Sequence, residues 1–157
     1  MRGRPALGDA RAGIVIGVDT SFLVGLTVEE HPAHRACWEL FDAEIVGKPA
    51  SIAITAQVLT EFCHVITDQR RFERPLEMTA ALDLCEQWWH AEESRVVVAD
   101  AEVGAVWSAW IHERRLGRKR LLDTMLAATY YRAGVRRIAS TNWRDFAGYG
   151  VFQVERL

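Results

Sequence analysis

Apolar positions along the chain fall into two patterns. Short apolar runs occur at Ile14-Val15-Ile16-Gly17-Val18, Ser51-Ile52-Ala53-Ile54, Val96-Val97-Val98, Ile138-Ala139-Ser140 and Val151-Phe152-Gln153-Val154. Runs of this length without polar alternation predict strands, and continuously apolar ones predict strands covered on both faces, as in a parallel sheet. Between them, apolar residues recur at helical spacing over roughly 32–45, 55–69, 76–91, 100–115 and 121–133. In the second of these, Val58, Phe62, Val65 and Ile66 form one stripe. Pro32 and Pro75 suit first helical turns. Asp100 is expected to cap the helix that follows it, and Gly134 to end the last one as a C′ residue. Strands alternating with helices predict a three-layer α/β/α sandwich around a mainly parallel central sheet.

The chain has 157 residues, half of them hydrophobic and a quarter charged, the profile of one globular domain. Residues 1–13 are Arg-rich without an apolar segment, and are expected to be a flexible tail rather than a secretory signal. No apolar run reaches the length of a membrane span. The three cysteines, Cys37, Cys63 and Cys85, are widely spaced without a CxxC pair. They are expected to be buried, reduced thiols of a cytoplasmic protein. With a net charge of −2, any nucleic-acid site must be a local patch.

Chemistry is sought beyond the carboxyl ends of the strands, where open parallel sheets bind ligands. Asp19 ends the first strand, and Asn142 and Asp145 follow the fourth. Glu61 lies three residues after Val58 and four before Val65, at the margin of the buried stripe. Asp123 lies three before Leu126 and seven before Tyr130, again at a margin, and in the first turn of its helix. There the helix dipole favours the ionised carboxylate. Half-desolvated carboxylates are rare unless paired or bound to a cation. A set of them without thiol or imidazole selects a hard ion such as Mg²⁺ or Mn²⁺ rather than zinc. The implied chemistry is phosphodiester hydrolysis. Each residue has a plainer reading: Asp19 as a helix cap, Asp123 as a dipole partner, Glu61 as a solvent-facing residue, Asp145 as a turn residue.

The order of these blocks resembles the PIN-domain ribonucleases, particularly the VapC-type toxins of bacterial and archaeal toxin–antitoxin operons. The resemblance is carried by Val18-Asp19-Thr20-Ser21-Phe22-Leu23-Val24, His31-Pro32-Ala33-His34, Thr60-Glu61-Phe62, Leu122-Asp123-Thr124-Met125-Leu126-Ala127-Ala128-Thr129 and Ser140-Thr141-Asn142-Trp143-Arg144-Asp145-Phe146. It covers roughly 14–154, so 14–157 is expected to be one PIN domain. It implies an endoribonuclease with catalytic Asp19, Glu61 and Asp123, of which Asp19 and Asp123 hold Mg²⁺ or Mn²⁺. It also implies a cognate antitoxin and a homodimer. The chain departs from the pattern at Asn142, where many members carry Asp, which puts a second metal ion in doubt. Asn142, Asp145 and Ser21 are expected to orient substrate or ligands.

The run Arg114-Arg115-Leu116-Gly117-Arg118-Lys119-Arg120 precedes the Asp123 helix. Arg118, Lys119 and Arg120 are candidate contacts to the RNA backbone, or a solvated loop. Of the six tryptophans, Trp107 and Trp110 share a helical face and suit a core or a dimer interface. Trp143, within the closing block, could contact a base. Glu61-x-x-His64 lacks the second copy that a di-iron site needs, and His31-x-x-His34 lacks a third zinc ligand. Three other readings stand beside the toxin: a housekeeping RNA-processing nuclease, an impaired PIN module that binds RNA or protein without cutting, and a phosphotransfer fold with Asp19 as nucleophile. The last wants an acid where this chain has Ser21.

Overall fold

The computed structural model describes residues 15–157; the expected tail, residues 1–13, lies outside them. Five strands are present: β1 Ile16–Val18, β2 Ile52–Ile54, β3 Ser94–Val96, β4 Arg137–Ser140 and β5 Gln153–Arg156. Seven α-helices occur among the described residues: α1 Thr20–Thr27, α2 His34–Leu40, α3 Ala56–Ile66, α4 Met78–His90, α5 Val103–Glu113, α6 Leu121–Arg132 and α7 Trp143–Ala147. The strands form one sheet in the order β3-β2-β1-β4-β5, and every pairing is parallel. The architecture is the α/β class expected from the alternation of strands and helices.

The central strands show why their sequences carry no polar alternation. Ile16, Val18, Ile52, Ala53, Ile54, Ile138 and Ala139 are all fully buried. β3 departs from expectation: it begins two residues before the Val96–Val98 run. Val97 is buried, but Val98 is 79% exposed. β3 is an edge strand that ends at Val96, so Val98 lies beyond the sheet. β5 also lies two residues later than the apolar run 151–154. Val151 precedes it, and Phe152 is taken up in an aromatic cluster with Trp110 and Tyr149, its ring centroid 6.4 Å from each.

Two further boundaries differ. The helix expected over 32–45 starts at His34 and finishes as a π-helical turn, Phe41–Ile45. Helix α5 starts at Val103, so Asp100 precedes the cap position. Its Oδ1 accepts from the Glu102 amide at 3.0 Å, and its carboxylate pairs with Arg132 at 2.8 Å. Cys37 is buried as expected, whereas Cys63 and Cys85 are half-buried; all three are free. No helix among the described residues is long and apolar enough to cross a membrane.

Helix α1 is buried nearly all round, and its contact with α2 depends on Gly25. A Cβ at that position would lie 2.5 Å from Cys37 Sγ, and Cys37 is itself fully buried. Gly25→Ala is therefore expected to cost about 1–3 kcal/mol through overpacking. The double change Gly25→Ala/Cys37→Ala, which removes the sulfur, should restore most of it. Urea denaturation of the four proteins in the cycle checks this; a destabilisation that persists in the double variant would place the cause elsewhere.

Candidate active site

From β1 the chain leads to β2 and β3 on one side, then to β4 and β5 on the other. The crevice of this doubly wound sheet therefore opens beyond the carboxyl ends of β1 and β4. Asp19 follows β1 and Asn142 follows β4. Helices α3 and α6 bring Glu61 and Asp123 to the same place. Asp19, Glu61, Asp123, Ser21 and Asn142 all line one cavity of about 230 Å³.

Asp19 is held by hydroxyls from both strand ends. Ser21 Oγ donates to its Oδ2 at 2.9 Å and Ser140 Oγ at 2.7 Å. These serines are fixed in turn: the Thr141 amide donates to Ser21 Oγ at 2.9 Å, and the Asn142 amide to Ser140 Oγ at 3.0 Å. Asp19 thus belongs to a network that ties α1 to the β4–α7 turn. Burial raises its pKa above the ordinary carboxylate value, and the two serine hydrogen bonds oppose this. On the far side, Thr20 Oγ1 donates to Glu61 Oε2 at 3.1 Å, which links α1 to α3.

Asp123 sits in the first turn of α6. Its pKa is pushed up to about 6, first by burial and then by the negative charge of Asp19; Asp145 and Glu61 add to the rise, and Arg120 opposes it. Arg120 approaches it only to 3.8 Å, too far for a hydrogen bond. The Arg120 guanidinium is engaged elsewhere. It donates to Asp145 Oδ1 at 2.9 Å, to the Asp145 carbonyl at 2.8 Å and to Tyr149 Oη at 3.2 Å. Asp145 and Arg120, both singled out in the sequence, are therefore partners of one another and are not part of the cavity lining. Arg118 and Lys119 are exposed on the preceding 3₁₀ turn. Trp143 lies outside the lining as well; the guanidiniums of Arg144 and Arg156 stand 4.8 and 4.4 Å from its ring.

The structure adds residues that sequence reasoning missed. Thr20 and Ser140 orient the carboxylates, and their position beside Asp19 and Asn142 at strand ends was the available signal. His31, Arg71 and Phe72 also line the cavity. His31 Nδ1 accepts from the Ala33 amide at 3.1 Å, which places the ring proton on Nε2. Burial, reinforced by His34, lowers its pKa.

The donor set is rich in carboxylate, without thiol, and repels itself, which suits a hard, oxygen-seeking ion. Among the described residues, no group of three or more His, Cys, Asp or Glu side chains is arranged to hold a metal. Mg²⁺ is commonly held by one or two carboxylates and keeps several of its waters.

The PIN domain family model matches residues 16–150, and the chain belongs to that family. Ribonuclease VapC24 of Mycobacterium tuberculosis is 28% identical over 145 residues, which span 89% of this chain and 94% of that protein. Among solved structures, M. tuberculosis VapC20, described as a sarcin–ricin loop cleaving toxin, superposes with a TM-score of 0.67 at 21% identity. That match covers 89% of this chain and 98% of the other. A toxin–antitoxin complex from Klebsiella pneumoniae gives a TM-score of 0.61 at 15% identity, covering 90% of this chain and 99% of the other. At these identities the structural matches speak to the fold, which is that of VapC toxins.

Proposed function

We propose that this PIN domain is a Mg²⁺- or Mn²⁺-dependent endoribonuclease and the toxin of a toxin–antitoxin pair. The observation that carries the reading is the convergence of Asp19, Glu61 and Asp123 on one cavity at the sheet's switch point, in a chain related to a ribonuclease of the VapC group. Asp19 and Asp123 would hold the ion, with Glu61 completing the acidic set. A divalent ion there would supply a more acidic water and offset the charge that builds on the phosphate.

The remaining residues act by placement. Ser21 and Ser140 fix the Asp19 carboxylate, and Thr20 fixes Glu61. Asn142 is exposed at the rim, uncharged, and suited to orient a phosphate or water by hydrogen bonding. Asp145 holds Arg120 in place. Arg118, Lys119 and the Trp143–Arg144–Arg156 cluster offer outer contacts to an RNA strand. The same reading makes the protein a cytoplasmic homodimer silenced by a cognate antitoxin. Similarity to the K. pneumoniae toxin–antitoxin complex supports the antitoxin.

The test is incubation with end-labelled single-stranded RNA in Mg²⁺ or Mn²⁺, beside an EDTA control and Asp19→Asn. Cleavage that requires the metal and is lost in the variant is expected. Binding without cleavage in both metals would instead support the impaired PIN module, for which Asn142 is the one favouring feature.

A further inference from the structure

A second, larger cavity of about 680 Å³ adjoins the acidic one, and His31, Arg71 and Phe72 line both. Its walls come from the end of α1 with the loop after it, and from the loop that joins α3 to α4. That second loop carries no helical or strand periodicity. Arg71 is the one arginine or lysine in the lining of the acidic cavity. Its only ion-pair partner among the described residues is Asp68, at a loose 3.4 Å, and its side chain remains 57% exposed. Arg120, the other arginine near the carboxylates, is committed to Asp145 and Tyr149. Phe72 is half-buried between the two cavities.

An RNA strand drawn to a cavity with three carboxylates needs a cation there to hold its backbone, and Arg71 is the one that the lining supplies. Its planar fork also matches phosphate oxygens better than a point charge does. We propose that the larger cavity is a nucleotide subsite beside the scissile phosphate. In it Arg71 grips the adjoining backbone phosphate, His31 Nε2 offers a neutral donor, and Phe72 lies under the base. The volume falls within the range of small-molecule sites. Glu29, Glu30 and Glu73 line the same cavity, opposed by Arg74. Those carboxylates disfavour a long run of backbone, so the subsite takes one nucleotide and the strand then leaves over the surface.

This inference rests on the ribonuclease reading, and its test is built to fail separately. Binding of fluorescein-labelled single-stranded RNA is measured by anisotropy in Mg²⁺ across a salt series, with Asp123→Asn as the non-cleaving background. Adding Arg71→Ala is expected to weaken binding about tenfold or more, as for a lost hydrogen bond to a charged group. It should also reduce the salt slope by about one. Arg71→Lys should recover the slope but only part of the affinity. In the cleaving protein, Arg71→Ala should raise KM for RNA more than it lowers kcat. An RNA with an abasic nucleotide beside the cleavage point should bind more weakly than its parent. Unchanged affinity and an unchanged salt slope in Arg71→Ala would overturn the subsite. Failure of the parent protein to cleave RNA would count against the ribonuclease reading alone, because the anisotropy comparison does not depend on cleavage.

Discussion

Asp123→Asn is expected to abolish RNA cleavage while making the metal-free protein more stable. Loss of an ion's several kcal/mol of charge stabilisation converts, at about 1.4 kcal/mol per tenfold, into a fall of roughly 10³ in rate. The gain in stability has a separate cause. The Asp123 carboxyl ionises near pH 6 in the native protein against 3.8 ordinarily, so the native state holds its proton more tightly than the unfolded chain does. Below pH 3.8 both states are protonated and the group contributes nothing. As pH rises from about 4 to about 6 the native state loses stability relative to the unfolded one, and the full penalty persists above that. Because its side chain is 31% exposed, solvent screening reduces the penalty to about 1–2 kcal/mol. Asparagine removes it at the cost of only a 3.8 Å contact to Arg120. Urea midpoints in EDTA should therefore show the variant ahead of its parent at pH 7, by a margin that shrinks toward pH 4.5. Added Mg²⁺ should raise the midpoint of the parent and leave the variant unmoved. A variant that cleaves RNA normally, or that is less stable at pH 7, would remove Asp123 from the role given to it.

That outcome would mark a site kept at the expense of stability, the kind of place where a sequence breaks its local rules. Asp19, Glu61 and Asp123 were legible because each breaks a local rule, a charge at the end of a buried strand or a carboxylate at the margin of an apolar stripe, and Asn142 because it follows the fourth strand. The central strands were legible because burial on both faces leaves no polar alternation to mislead. Arg71 and Phe72 sit in a loop with no period, so nothing local distinguishes them from any exposed arginine and aromatic residue. Arg120 looked like a free cation because its partner Asp145 lies twenty-five positions away, and only the packing of α6 against α7 brings the two together. At β3 and β5, an apolar run could not say whether it paired in the sheet or packed beside it.

The arrangement that joins the fold to the site was the least visible of all. Tyr130 lies seven residues along α6 from Asp123 and is fully buried. Its hydroxyl reaches the Val18 carbonyl at the end of β1 at 2.7 Å and the Ala53 carbonyl within β2 at 3.0 Å. Val18 immediately precedes Asp19, so this one side chain sets the helix carrying Asp123 against the strand carrying Asp19. Gly17 makes it possible, since a Cβ there would stand 2.8 Å from the Tyr130 ring. Tyr130→Ala is expected to cost about 3–5 kcal/mol, the range for emptying a large aromatic site. Tyr130→Phe keeps the ring and removes the hydroxyl proton that the Val18 carbonyl accepts at 2.7 Å, at about 1–3 kcal/mol. The phenylalanine variant separates packing from positioning. If the hydroxyl fixes the spacing of the two carboxylates, a protein that is folded by circular dichroism should need more Mg²⁺ for half-maximal cleavage and show a lower kcat, with RNA affinity unchanged. Retention of the parent's Mg²⁺ dependence in a merely less stable Tyr130→Phe protein would confine Tyr130 to the core. The spacing of Asp19 and Asp123 would then rest on the Ser21–Ser140 network, which holds Asp19 from the opposite side.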